Sequence, residues 1–417
     1  MVVTALFHLT NAVLLWRVLR AFGKTALVSG LAATFFLVFP ATAEVRLWTS
    51  CRFDLLGATG VLVSLLAWAG VLRAETSRAR RLTLAAAAGA AFLFALLAKE
   101  PAIGLLVLLP VLAMSRPGRG TPDRAALVLA ACVSAMAVLV FLLLRSRVMS
   151  LAASPYGDAV ALFRSAPLLH DLGAYARGFV TPPYFGDPSF VSDLVRFSGF
   201  LGLAGIILGA WSGGPIAAAG FFLASGAFLG LVLWMPFVPG AAGGGRLLYL
   251  PSVPAAILFG IGAASLFEAV PAPPGTQGRI RLARAGGSVL VGGFVLGAIA
   301  SGASASRYWR DAARLSRSVM DQVGRRVDAP ALFLRNVPSV FRDGPPVMSC
   351  YAFPAYLGRH GTRVPLFRCD SVVVERGWRS TIEWEKRRPD VYSQYAEPRE
   401  DETPVELDLA LPPGRTR

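Results

Sequence analysis

Ionisable side chains are scarce in this sequence, only 16% of 417 residues, and those with chemical potential gather in three short segments. The first is Pro40–Leu55, where Glu44, Arg46, Arg52 and Asp54 fall within eleven residues. Two acids and two arginines so close can form mutual ion pairs, or Arg52 and Asp54 can merely pair and cap at a helix start. The second is Lys99-Glu100-Pro101, a sharp reversal holding one of only three lysines. An ammonium there can hold a phosphate as a point charge, or it can snorkel to the membrane surface beside its neighbouring glutamate. The third is Gly243-Gly244-Gly245-Arg246, followed by Tyr249 and Pro251. Its glycines let backbone approach a ligand closely, or serve as a hinge beside a snorkelling arginine. It is not a phosphate loop, because no Lys-Ser/Thr follows.

The elements that must position these groups are membrane helices. Hydrophobic residues make up 55% of the chain and mean hydropathy is +0.57, whereas a soluble protein carries roughly 25% charged residues. About 20 apolar residues cross a bilayer. Ten stretches qualify as candidates: Val2–Leu19, Ala26–Thr42, Leu55–Leu72, Leu82–Leu97, Ile103–Met114, Ala125–Leu144, Phe197–Trp211, Ile216–Phe237, Leu248–Ala269 and Ser288–Ala303. The fifth is short enough to be tilted or re-entrant. The first is no cleaved signal peptide, since Arg17 and Arg20 lie at its far end.

The net charge of +16 sits between apolar runs, which argues for membrane topology and against a nucleic-acid partner. If every span crosses once, thirteen basic residues share one side: Arg17, Arg20, Lys24, Arg73, Arg78, Arg80, Arg81, Arg116, Arg119, Arg124, Arg279, Arg281 and Arg284. The short loops opposite hold Arg46, Arg52, Lys99 and Arg246. The positive-inside rule makes the thirteen cytoplasmic. All three polar segments, Met1 and everything after Ser304 are then extracytoplasmic.

The expected architecture is an α-helical polytopic membrane protein of about ten transmembrane helices, residues 1–304, with a long outer loop at 145–196. A small extracytoplasmic α/β domain follows at 305–417. Within the loop, Leu168, Leu169, Leu172, Tyr175, Ala176 and Phe179 recur at helical spacing. That pattern fits a helix in the membrane interface or one packed on the outer ends of the spans. Cys350 and Cys369 both fall in the outer domain, where a disulfide persists. Three scattered histidines and no grouped carboxylates leave no metal site in the reading. His8 and Asn11 face one way on the first span, as a polar helix contact would. No G-x-S-x-G, H-E-x-x-H or Walker A pattern is present.

The polar segments, in this order, resemble the GT-C superfamily of integral-membrane glycosyltransferases, and within it the bacterial relatives of the transmembrane-and-TPR O-mannosyltransferases. Phe39-Pro40 with Glu44-Val45 runs into Cys51-Arg52-Phe53-Asp54-Leu55-Leu56, the Lys99-Glu100 turn recurs, and so does Arg246-Leu247-Leu248-Tyr249-Leu250-Pro251-Ser252. A helix with His-x-x-Asn precedes them as His8 and Asn11. The resemblance covers Phe7 to Phe267 and omits the C-terminal segment, which shows no TPR repeat.

This resemblance implies transfer of a sugar from a polyprenyl-phosphate donor to a glycan, lipid or protein acceptor, at the outer face of a bacterial inner (cell) membrane. No cofactor is expected beyond that lipid-linked donor. Cations beside a leaving phosphate stabilise charge that grows in the transition state, so Lys99, Arg246 and then Arg52 are the expected phosphate ligands. Glu44 is the expected base, Asp54 the second carboxylate and the partner of Arg52. Arg46, Glu100 and Tyr249 complete the expected substrate contacts. The family's usual catalytic aspartate lies in a first outer loop, and this sequence begins beyond it. A truncated gene model, a fragment and a non-catalytic descendant each account for that departure. A membrane subunit of an envelope-glycan pathway is accordingly the alternative function. A transporter is disfavoured, because ionisable groups sit at span ends rather than near the midplane.

Overall fold

The computed structural model describes residues 2–48, 51–73, 76–115, 124–148, 153–154, 157–158, 168–184, 189–233, 245–268, 277–324, 331–340, 366–373 and 405–408. Twelve α-helices run through them in order: α1 Val2–Ala21, α2 Ala26–Val38, α3 Ala43–Leu47, α4 Arg52–Val71, α5 Arg78–Ala98, α6 Leu105–Met114, α7 Arg124–Val148, α8 Leu168–Gly178, α9 Phe190–Gly213, α10 Pro215–Gly230, α11 Ser252–Phe267 and α12 Gln277–Gly324. Each of the ten apolar stretches forms helix over most of its described residues, and the chain is a multi-pass membrane protein. Six helices (α1, α4, α5, α7, α9 and α12) are individually long and apolar enough to cross a bilayer. A seventh crossing needs α2 joined to Pro40–Leu47 through a 47° bend. Glu100–Met114, α10 and α11 are shorter apolar helices. The expectation of ten spans therefore counts apolar stretches, not helix lengths. Pro40 opens a 3-10 turn where α2 stops, and Pro101 opens another before α6. A proline ring cannot continue the preceding helical ladder.

Helix α1 shows the logic of folding in lipid. Val2, Leu6, Leu9, Val13 and Trp16 are exposed, whereas Thr4, His8 and Asn11 are buried. The polar stripe faces inward because hydrocarbon offers polar groups no partner. Elsewhere the core is aromatic. Phe35 of α2 packs with ring centroids 4.7 Å from Phe259 of α11, 4.8 Å from Phe294 of α12 and 5.0 Å from Phe39. The most extensive helix pairs are α4 with α5 and α9 with α11.

Of the long loop, α8 and a short antiparallel pair, β1 Ala153–Ser154 with β2 Gly157–Asp158, are described. Tyr175 of α8 is buried and donates to the Val232 carbonyl at 3.1 Å, while Leu169 and Leu172 remain exposed. The helix is thus packed on neighbouring elements through one face.

The chain divides into two compact units at Ser304–Ala305, and α12 carries residues of both. In the second unit, β3 Ala331–Val340 pairs in parallel with β4 Leu366–Val373 and with β5 Val405–Asp408. Ala331 lies opposite Leu366, and Leu332 opposite Val405. The Cys350–Cys369 pairing falls outside the described residues.

Chain alternation sets a labelling expectation. With the four native cysteines replaced by serine, Arg20→Cys and Arg52→Cys should react with a membrane-impermeant maleimide from opposite sides of sealed cells or inverted vesicles. Labelling of both from one side would reject an odd number of crossings between the two positions, and with it a single crossing by α2 and its bent extension to Leu47.

Candidate functional site

Asp54 stands in the first turn of α4, where the helix dipole favours a carboxylate, and its side chain is only 6% exposed. Lys99 is the residue at which α5 ends, in extended conformation (φ −158°, ψ 116°). Gly57, one turn into α4, lets the two helices meet there: a Cβ on it would lie 2.9 Å from the Lys99 Cβ. The close crossing brings the Lys99 ammonium 3.1 Å from the Asp54 carboxylate. Arg52 is not the partner expected for Asp54. It is exposed at the start of the same helix, and residues two apart on a helix point to different faces.

Glu44, on the short helix α3, is buried, and its Oε2 accepts the Arg246 backbone N–H at 2.9 Å. Gly245 makes this contact feasible, because a Cβ there would run into the Ala41 carbonyl. The Arg246 guanidinium then lies 5.1 Å from the centre of the Trp48 ring, a cation–π distance. Asp54, Lys99, Pro101, Val232, Arg246, Leu247 and Leu250 line a cleft of about 10 Å³, barely room for one water. Cys51 is buried beside these groups. Burial, then the nearby Glu44 and Asp54 charges, push its thiol up, so it stays protonated and a poor nucleophile.

A second polar cluster supports the first. The Leu37 carbonyl can only accept, so His8 donates from Nε2 at 2.8 Å. Its Nδ1 therefore accepts from the Tyr249 hydroxyl at 2.8 Å. That hydroxyl also accepts from Asn11 Nδ2 at 3.2 Å, and Thr59 donates to Asn11 Oδ1 at 2.7 Å. Tyr249 is completely buried and fixes the Arg246 segment against α1. Arg46 borders this cluster: its carbonyl accepts from Thr4 at 2.9 Å and its Nη1 reaches the Leu37 carbonyl at 3.5 Å. Its Nε and Nη2 are buried with no hydrogen-bond partner among the described residues.

Glu100 leaves Lys99 to Asp54 and pairs instead with Arg145 at the end of α7, at 2.6 Å. The sequence candidates are thus divided. Glu44, Asp54, Lys99 and Arg246 share one centre; Arg46 and Tyr249 lie in the cluster behind it; Glu100 and Arg52 stand apart. Sequence reasoning passed over Thr59 and Trp48. Trp48 lay within the first charged segment, and an aromatic beside arginines is the signal that could have marked it. Among the described residues no three His, Cys, Asp or Glu side chains group as metal ligands.

No family model matches the chain, and no curated protein does. Among solved structures it is similar to the oligosaccharyltransferase AglB of Archaeoglobus fulgidus, in complex with an inhibitory peptide and a dolichol-phosphate. Identity there is 12%, with 87% of this chain and 52% of that chain covered, at a TM-score of 0.42. It is also similar to ArnT of Cupriavidus metallidurans bound to undecaprenyl phosphate, at 15% identity, 88% and 70% coverage and a TM-score of 0.39. The same enzyme in its apo state gives 14% identity, 94% and 74% coverage and a TM-score of 0.40. The chain spans about half the length of the archaeal structures it matches.

Removing one member of the Asp54–Lys99 pair should be worse than removing both. Lys99→Met leaves a buried carboxylate uncompensated, at a cost of about 3 kcal/mol, the low end for breaking a buried pair. The melting temperature in detergent should fall for Lys99→Met and recover largely in Lys99→Met/Asp54→Asn. Equal melting of wild type and the single variant would show the pair contributes nothing.

Proposed function

We propose that this chain is a GT-C-type glycosyltransferase that takes a sugar from a polyprenyl-phosphate donor and passes it to an acceptor at the extracytoplasmic face. The observation that carries the reading is the convergence of Lys99 and Arg246 with Asp54 at one cleft, with the buried Glu44 holding the Arg246 amide behind it, from three separate segments of the sequence. Ionisable groups beside hydrocarbon are costly, and a site that gathers two cations there suits an anionic lipid headgroup. The four sequence segments resembling the superfamily bring the same residues.

In this mechanism the donor phosphate binds Lys99 and Arg246. The bond between the anomeric carbon and the phosphate oxygen breaks, leaving its electron pair on the phosphate. A bond forms from that carbon to an acceptor oxygen, whose proton goes to a carboxylate. The phosphate competes with Asp54 for the Lys99 ammonium, and Asp54, once displaced, accepts the proton. Glu44 holds the Arg246 amide and so sets the height of that cation above the Trp48 ring. Arg52, exposed at the start of α4 and apart from the cleft, is an accessory cation for the arriving headgroup. Cations fixed before the reaction lower the barrier because they need no reorganisation as charge develops.

A second reading is a membrane subunit that binds the lipid and performs no chemistry. It is favoured by the engagement of both carboxylates, Glu44 with the Arg246 amide and Asp54 with Lys99.

Native mass spectrometry with undecaprenyl phosphate tests the site. Lys99→Met and Arg246→Met should each weaken binding at least ten-fold, about 1.4 kcal/mol. Asp54→Asn should bind as well as wild type or more tightly, since it releases Lys99, yet lose sugar transfer in membranes supplied with labelled polyprenyl-linked sugars. Unchanged binding in both cation variants would reject the site. Binding without transfer in the wild type would favour the subunit.

A further inference from the structure

The end of the bundle opposite the Lys99 cleft holds a larger cavity, of about 470 Å³, within the usual range of ligand pockets. It opens between the α1–α2 turn, the end of α6 and the α9–α10 turn, on the side where the sequence gathers its basic residues. Val28, Val111, Met114, Ile216, Ala217 and Ile261 supply apolar wall. Met114, Ile216 and the neighbouring Trp211 are exposed, as side chains facing acyl chains would be.

One ammonium stands in this wall. Lys24 is half-buried, and its Nζ donates to the Ser115 carbonyl at 2.7 Å. An ammonium has three donors, so that single bond leaves capacity for an anion. Burial pulls its pKa below the ordinary lysine value, a penalty that an anion alongside would relieve. The polar hydroxyls of the wall are satisfied internally: Thr25 donates to Glu268 at 2.8 Å, and Ser212 to Ser265 at 3.1 Å. Glu268 is thus bonded to Thr25, and Arg20, bonded to the Lys24 carbonyl at 2.6 Å, is a second cation at this turn.

The second observation is the start of α10. Gly214 precedes it at φ +82°, a left-handed conformation suited to glycine, and no side chain caps the helix. Ile216 and Ala217, in the first turn, line the cavity. Amides in the first turn of a helix have no intrahelical acceptor and carry the positive end of its dipole. Pro215 opens α10 without an N–H and the Ala218 amide bonds the Gly214 carbonyl at 3.0 Å, so Ile216 and Ala217 carry the free amides, on the same cavity wall as Lys24.

We propose that this cavity binds an anionic phospholipid, its phosphate against Lys24 Nζ and the Ile216 and Ala217 amides of α10, its acyl chain along Val28, Val111 and Ile261. The volume suits a phosphate and the first part of one chain, the remainder lying outside against Met114 and Ile216. A free phosphate would leave the apolar wall unused. A zwitterionic lipid would bring its own cation to a site that already has one.

The test uses the full chain in the Lys99→Met/Arg246→Met background, which silences the opposite end. Native mass spectrometry compares dioleoyl phosphatidylglycerol with dioleoyl phosphatidylcholine at equal concentration. A retention ratio of about ten in favour of phosphatidylglycerol is expected. Lys24→Met should bring it to parity and Lys24→Arg should restore it. Ala217→Phe, which fills the cavity and keeps the charge, should lose the retained lipid and decides the matter should Lys24→Met fail to fold. Undiminished preference in both Lys24→Met and Ala217→Phe would overturn the proposal. So would displacement of the lipid by millimolar inorganic phosphate, or stronger retention of undecaprenyl phosphate than of phosphatidylglycerol.

Discussion

A carboxylate at the end of a membrane helix has to be given a cation, and the crossing of α4 with α5 supplies one. Gly57 permits the approach, α5 ends in extended backbone at Lys99, and the ammonium arrives 3.1 Å from Asp54. Everything around the site follows from keeping that pair in place. The Pro101 turn returns the chain into α6, and Glu100 is drawn off to Arg145 rather than competing for Lys99. The buried pair is worth little as a stabiliser in itself, because desolvation consumes most of the Coulomb attraction. Its consequence is that a competing anion can take the cation.

The second requirement is that Arg246 be held across from this pair. Its position depends on three contacts of different kinds: the Glu44 carboxylate on its amide, the Trp48 face under its guanidinium, and Tyr249 behind it, bonded to His8 and Asn11. Each group in that chain is buried or half-buried, and each hydrogen bond satisfies a polar atom that hydrocarbon would leave stranded. A polar stripe on α1 thus serves the same end as the charged residues of the later segments. The cavity at the other end of the bundle differs in its groups, with one lysine and no carboxylate in its lining.

Much was legible before any coordinates. Hydropathy gave every apolar helix, and alternation of basic loops grouped Glu44, Asp54, Lys99 and Arg246 on one side. Periodicity gave α8, including its buried Tyr175. Span length was less legible, because apolar composition persists across a proline that ends the helix: Ala26–Thr42 reads as one span and is a helix bent by 47° at Phe39–Pro40. Partners were least legible. Arg52 and Asp54 are neighbours in sequence, and Lys99 and Glu100 are adjacent, yet neither pair forms.

What the sequence by itself determined is the solvent of this protein and the ends of its helices at which charge collects, since both depend on composition over windows of about 20 residues. What only the tertiary structure decided is which cation meets which carboxylate. That depends on helix crossings a single glycine makes possible, and on side-chain direction around each helix axis. Asp54 faces α5 and Arg52 does not, because 100° per residue separates their directions by more than half a turn. The same reason hid the Lys24 cavity, whose walls come from five helices and the α1–α2 turn and whose one charge looks, in sequence, like any other positive-inside residue.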